Sequence, residues 1–230
     1  MTAPTMLARP AAVQTRPLPM DIGAVLAPHV RRMPAWKRTV DVAAALVGIA
    51  ALAPVFLAVA FVVKLDSPGG AFFRQLRVGK GGQLFTCWKF RTMRQDAEEL
   101  KAQLMELNEA RGHIFKLKND PRRTRVGVFL RKTSVDELPQ LWNVLRGEMS
   151  LIGPRPPVPA EVANYSAREL RRLAVEPGIT GLWQVTLRGS HDFADMVTLD
   201  LEYAERRSIA LDLKIYARTV TTVLKGEGSC

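Results

Sequence analysis

The chain has 230 residues and a formal net charge of +11, with 33 Lys and Arg against 22 Asp and Glu. That length suits one medium domain with extra segments, and that charge selects an anionic partner: nucleic acid, a membrane surface or a phosphorylated substrate. Cys87 and Cys230 form no CxxC, and His29, His113 and His191 are scattered, which excludes zinc or iron–sulfur spacing. A reducing, cytoplasm-facing compartment is the simplest reading, and any metal would be a hard cation held by oxygen ligands.

Residues 1–33 are rich in Pro, Ala and Arg without sustained periodicity, and are expected to form a disordered tail. Val42 to Val63 follows, 22 residues without a charge, long enough to cross a bilayer core of roughly 30 Å as a helix. It starts too late for a secretory signal and is apolar on all sides, unlike a soluble surface helix. Arg31, Arg32, Lys37 and Arg38 precede it and Lys64, Arg74, Arg77 and Lys80 follow it, so both flanks read as cytoplasmic. Pro54 stands near its middle, where a missing N–H bends a helix. Together these predict a re-entrant helix-break-helix over 34–65, broken at Pro54, with a kinked single span as the competing reading.

Beyond Asp66 no further boundary is apparent, and 66–226 reads as one cytoplasmic domain. Ala71 to Trp88 predicts a β-hairpin around Gly79-Lys-Gly-Gly82, a sequence that lacks the Gly-Lys-Ser/Thr ending of a phosphate loop. Gln95 to Arg111 predicts an amphipathic helix, and Thr124 to Lys132 a short basic one with Val126, Phe129 and Leu130 inward. Leu138, Leu141, Trp142 and Leu145 recur at helical spacing from Pro139 onward. Further helices are predicted near Glu161 to Val175, over Asp192 to Arg207 and over Leu211 to Lys225, with a Gly/Pro turn and short strand or loop at Glu176 to Val185. The last helix mixes basic and apolar residues and suits either a membrane surface or a core. The fold class is α+β, mostly helical.

The stretch Ser134 to Pro156 concentrates the candidate chemistry. Asp136 and Glu137 stand together at a helix start, where amides and the helix dipole favour anions. Ser134-Val-Asp-Glu137 matches a capping box, in which both side chains only satisfy amides; Pro139 weakens that reading by interrupting the turn. The functional alternative is a nucleophilic or metal-binding carboxylate beside a second one that holds the metal or orients it. Nearby cations are Lys89, Arg91, Arg131, Lys132, Arg146, Arg155 and Arg188. Arg131, Lys132 and Arg146 read as a solvated face against anionic lipid. Arg155 lies between prolines, which presets a guanidinium fork for bidentate phosphate recognition. Lys89 and Arg91 would point the same way from a strand. Asp200, mid-helix, is a solvated position or a site acid.

Five motifs occur in a recognisable order: Lys37-Arg-Thr-Val-Asp41 before a proline-broken apolar run, Trp88-Lys-Phe-Arg-Thr-Met93, Val135-Asp-Glu-Leu-Pro-Gln-Leu-Trp-Asn-Val-Leu145, Gly147-Glu-Met-Ser-Leu-Ile-Gly-Pro-Arg-Pro156 and Pro177-Gly-Ile-Thr-Gly-Leu-Trp-Gln-Val185. From about Lys37 to Lys225 the chain resembles the bacterial sugar transferase family, the monotopic polyprenyl-phosphate phosphoglycosyl transferases. The resemblance implies a re-entrant helix and a catalytic domain on the cytoplasmic face of the bacterial inner membrane, with Mg²⁺, a UDP-sugar donor and undecaprenyl phosphate as acceptor. It implies that Asp136 is the nucleophile, assisted by Glu137, both near the metal. Lys89, Arg155 and Arg188 would contact phosphates, with Arg91 and Asp200 at the same substrate site. Leu187 stands where members commonly have a glycine, which loosens the role of Arg188.

A direct-displacement transferase, with Asp136 only binding metal, is the second enzyme reading. A basic membrane-tethered scaffold is the non-enzyme one. Nucleic-acid binding has charge in its favour but no motif. The sequence identifies neither the hexose nor the oligomeric state, a homodimer included.

Overall fold

The computed structural model describes residues 21–187 and 192–225. Its first element is α1 (Ile22–Leu26), capped by the Asp21 side chain accepting from Ala24 N. Ile22 and Leu26 are buried in a cluster with Val78, Val162, Leu173, Phe193 and Val197. The expected tail is therefore corrected for residues 21–33; its first twenty residues lie outside the described ones. Two apolar residues one turn apart are too short a signal to read from sequence, yet enough to dock a five-residue helix.

The long helix α2 (Ala35–Asp66) has 32 residues, about 48 Å at ~1.5 Å per residue. It continues through Pro54, so the expected break there is corrected: within the described residues the helix is uninterrupted. A proline removes one intrahelical bond, and the turns on either side retain theirs. One face of α2 lies against the rest of the protein over its whole length. Ala45 packs with Phe85, Leu141 and Val144, and Val63 with Phe90 and Leu130. The other face leaves Leu46, Val47, Leu57, Phe61 and Leu65 exposed.

The hairpin forms as expected, β1 (Phe72–Val78) and β2 (Leu84–Phe90) pairing antiparallel from Phe72 opposite Phe90 to Val78 opposite Leu84. The register puts Phe73, Gln75, Arg77 and Lys89 on one face, while Phe90 on the other stacks with Phe72 and meets Phe56 at a tilt. The helix expected over 95–111 is shorter, α3 (Ala97–Gln103) followed by a 3₁₀ turn. The Asn108 side chain accepts from Ala110 N and Lys116 N, turning the chain where periodicity alone continues the helix.

Next come α4 (Arg125–Lys132), capped by Thr124, and α5 (Gln140–Arg146), closed by Gly147 at φ 81°. In α4 Leu130 is buried but Phe129 is exposed, and in α5 Leu141 and Val144 are buried but Trp142 is exposed. Both exposed aromatics depart from the expected inward faces. The strand β3 (Ser150–Ile152) leads into the Gly153-Pro154-Arg155 turn. The helix expected near 161–175 is three short pieces, α6 (Pro159–Val162), α7 (Ala167–Leu170) and a 3₁₀ turn at Arg171–Ala174. Ser166 caps α7 with Glu169, and each such cap starts the helix afresh.

The strand β4 (Gly178–Thr180) pairs parallel with β3, Ser150 opposite Gly178. A Cβ on Gly178 would lie 2.0 Å from Gly153 N, so the two backbones meet where only glycine fits. Then follow α8 (Leu182–Thr186), α9 (Phe193–Arg206), capped by Asp192, and α10 (Ile209–Leu224). Tyr203 of α9 and Ile215 of α10 close over Ile152. The α+β, mostly helical reading stands, with a second two-stranded sheet that sequence reasoning left as strand or loop.

Candidate active site

Ser134 takes a left-handed conformation (φ 57°), the one non-glycine to do so among the described residues, and its side chain makes no capping bond. The capping box therefore does not form. Val135–Glu137 is instead a 3₁₀ turn, and Pro139 precedes α5 without a side-chain cap. A left-handed residue two positions before a pair of acids is a feature that clusters at functional sites.

The two carboxylates are held differently. Glu137 Oε1 accepts from Lys89 Nζ at 2.5 Å, a strand-to-turn ion pair across 48 residues. Burial pushes the Glu137 carboxyl up, but the Lys89 ammonium outweighs it and holds it below the ordinary value. Asp136 is 7 % exposed and faces the cavity. Burial raises its carboxyl to about 6, against the pull of Lys89 and Arg131 and with the push of Glu137. Two adjacent acids are thus driven apart in acidity, the pattern that separates roles in a site.

That cavity, about 390 Å³, has Asp136, Lys89, Arg131 and Arg155 on its walls, with Phe73, Met93 and Phe115 beyond them. Arg155 reaches it from the turn after β3, its side chain 37 % exposed and its nearest carboxylate, Glu161, 3.9 Å away. Arg122 lies over the Phe115 ring, 4.9 Å from its centroid, and pairs with Asp120 at 2.6 Å.

Three expectations change. Arg91 borders the cavity, but its guanidinium donates to the carbonyls of Val63, Ser67 and Pro68, closing the end of α2 rather than waiting for phosphate. Asp200 is fully buried, pairs with Arg172 and does not border the cavity, so neither the solvated nor the substrate-contact reading holds. Arg131, expected on a solvated face, lines the cavity beside Asp136, and burial lowers its pKa from the ordinary guanidinium value. Arg188 lies outside the described residues.

Sequence reasoning missed Asn143. It is fully buried, its Oδ1 accepts from Trp88 N at 3.1 Å and its Nδ2 donates to Thr86 O at 2.7 Å, so one side chain pairs with the open edge of β2. Lys89, the next residue, is thereby fixed relative to α5 and to Glu137. An asparagine among Leu141, Trp142, Val144 and Leu145 was the available signal.

No group of three or more His, Cys, Asp or Glu able to hold a metal occurs among the described residues. The pair Asp136 and Glu137 nonetheless fits Mg²⁺, which commonly takes one or two carboxylates and completes its shell with water and substrate phosphates. Glu137 would then exchange its lysine for the ion.

These features define a class: a mostly helical domain strapped to one long apolar helix, with one acid of an adjacent pair, Asp136, set among cations in a cavity sized for a small anionic ligand. Residues 32–226 match the family model described as bacterial sugar transferase, and the chain belongs to that family. It is 46 % identical over 195 residues to the galactosyl transferase CpsE of Streptococcus agalactiae serotype III, covering 84 % of this chain and 43 % of that one. It is 41 % identical over 197 residues to the exopolysaccharide production protein ExoY of Rhizobium meliloti, covering 84 % and 87 %. With the UDP-glucose:undecaprenyl-phosphate glucose-1-phosphate transferase of Caulobacter vibrioides it shares 44 % over 198 residues, covering 82 % and 69 %. The chain spans less than half the length of CpsE.

Proposed function

We propose that this protein transfers a hexose-1-phosphate from a UDP-sugar to undecaprenyl phosphate, through a covalent phosphosugar on Asp136. The observation that carries this reading is the unequal state of the acidic pair. Glu137 is neutralised by Lys89, while Asp136 is buried, faces the cavity and is ionised at neutral pH with a carboxyl near 6. A desolvated carboxylate of raised basicity is a competent nucleophile.

An Asp136 oxygen attacks the phosphorus that bears the sugar. The P–O bond to the bridging oxygen breaks and UMP leaves with that oxygen. Lys89, Arg131 and Arg155 face the charge that builds on the transferred phosphoryl group. An undecaprenyl phosphate oxygen then attacks the same phosphorus, the acyl phosphate bond breaks and the Asp136 carboxylate returns. Mg²⁺, when bound, supplies further charge neutralisation at the diphosphate. The names of the relatives support the acceptor and the polysaccharide context. They differ in the sugar, so the donor is read here only as a UDP-hexose.

The membrane side of the reading rests on α2. Its first turns are tied to the domain by Lys37 to Asp212 at 2.6 Å, and its last residue, Asp66, accepts from Val126 N at 3.2 Å. A helix with both ends fastened to one compact domain keeps both ends on one side of a bilayer. This supports a helix embedded from the cytoplasmic leaflet, with exposed Phe129 and Trp142 of the adjoining α4 and α5 facing lipid.

The test is UMP release from a panel of UDP-sugars with Mg²⁺, with and without undecaprenyl phosphate. Covalent turnover gives a stoichiometric burst of UMP before acceptor is added, and Asp136→Asn abolishes it. Undiminished release by that variant removes Asp136 as nucleophile; a burst that strictly requires acceptor favours direct displacement.

A further inference from the structure

The turn that carries Arg155 is held in an unusual way. Pro154, Pro156 and Pro157 have no N–H, so the turn is fastened through its carbonyls instead. Four consecutive carbonyls are each taken by a different donor. Gly178 N donates to Pro154 O at 2.9 Å and Val78 N to Pro157 O at 2.9 Å. Between them, Arg172 Nη2 donates to Arg155 O at 3.3 Å and Arg77 Nη1 to Pro156 O at 2.6 Å.

The outer two donors are ordinary amides. The inner two are guanidiniums, 6 % exposed at Arg77 and 5 % at Arg172. Burying a cation is costly unless it is compensated, and a neutral donor would cap a carbonyl more cheaply. Arg172 is compensated by Asp200 and by Tyr165 Oη at 3.0 Å. Arg77 has the Gln75 side-chain oxygen at 2.9 Å, and burial together with nearby Arg155 lowers it to about 10, still charged at neutral pH. Two buried cations thus stand behind a turn whose own side chain is a partly exposed cation with one loose carboxylate partner, Glu161 at 3.9 Å. Arg77 and Arg155 repel each other, and an anion in front of Arg155 relieves that repulsion.

We propose that Arg77 and Arg172 are positioning residues for Arg155, fixing the carbonyls of Arg155 and Pro156 so that the Arg155 guanidinium meets the phosphate bearing the sugar, with Asp200 orienting Arg172. The proposal rests on the transfer reaction given above. It also accounts for Asp200, which reaches the site through Arg172 and the Arg155 carbonyl rather than by touching substrate.

A double-mutant cycle tests it on the full chain in detergent or nanodiscs, read as kcat/KM for UMP release. Arg77→Lys keeps the charge but loses the fork that spans Gln75 and Pro156. It should lower kcat/KM about 10- to 100-fold with Arg155 present, and less than about twofold in an Arg155→Ala background. Asp200→Asn, isosteric and milder, should show the same dependence on Arg155 and serves as the cycle if Arg77→Lys does not fold. Equal losses in both backgrounds, or no loss with Arg155 present, would overturn the positioning roles. Asp136→Asn assayed alongside separates the two readings, because undiminished release there removes the covalent mechanism and leaves the cycle to be read independently.

Discussion

Lys89 Nζ and Glu137 Oε1 lie 2.5 Å apart, joining the end of β2 to the acidic pair. The pairing leaves the neighbouring Asp136 as the carboxylate whose acidity is set by burial rather than by a partner. In the proposed mechanism, one lysine therefore decides which of two adjacent acids is reactive.

Lys89→Met should uncouple them. Without the ammonium, Glu137 and Asp136 repel each other across a few ångströms, so the Asp136 carboxyl moves above about 6. Asp136 must be ionised to attack, so the acidic limb of the rate profile, near pH 6 in the wild type, should shift to higher pH. Activity at the plateau should fall about 10²-fold. A pH profile of UMP release checks both; an unmoved acidic limb would show that Lys89 does not set Asp136.

Asp136 should also lower stability. Its folded-state carboxyl is raised from 3.8 to about 6, so between those pH values the folded protein binds the extra proton and stability falls as pH rises. At pH 7 the penalty is fully present, on the order of 2–3 kcal/mol at ~1.4 kcal/mol per unit. Asp136→Asn should therefore raise the thermal midpoint at pH 7 by several degrees, roughly 2–4 °C per kcal/mol, and leave it nearly unchanged below pH 4. Differential scanning fluorimetry at the two pH values is the measurement.

Lys37 and Asp212 form a buried pair at 2.6 Å, and Tyr203 Oη donates to the other Asp212 oxygen at 2.9 Å. Lys37→Met leaves that carboxylate without its cation and should cost about 3–5 kcal/mol. Lys37→Met with Asp212→Leu should recover most of the loss, as replacement of a whole buried pair commonly does. Additive losses in the double variant would mean that the two residues act separately.

The orientation of α2 is open to labelling. In a Cys230→Ser background, Thr39→Cys and Gly70→Cys place exposed thiols near the two ends of the helix. Both should react with an impermeant maleimide in inverted inner-membrane vesicles and neither in intact spheroplasts. Labelling of one position from each side would make α2 a single span.

Much of the site was legible where its signal is local. Asp136, Glu137 and Pro139 are adjacent in sequence, and the prolines around Arg155 fix a turn whatever surrounds it. The hairpin was legible because alternation and the Gly79–Gly82 turn coincide within twenty residues. Roles that depend on a distant partner were not. Arg91 looks like a phosphate ligand until α2 is found to end over it, and Asp200 looks like a site acid until Arg172 is found against it. Phe129 and Trp142 follow helical spacing but face outward, because periodicity marks an apolar stripe without saying whether protein or lipid covers it.

By itself the sequence determined the family, the apolar helix, the acidic pair and the proline-fixed arginine, since each is written in contiguous residues whose backbone preferences need no partner. Only the tertiary structure decided how those parts share charge. It pairs Glu137 with Lys89, places Asp136 in the cavity with Arg131 and sets Arg77 and Arg172 behind Arg155. Burial and proximity set these electrostatic relations, and both come into being when separate segments close on one another, as Lys89 and Glu137 do across 48 residues.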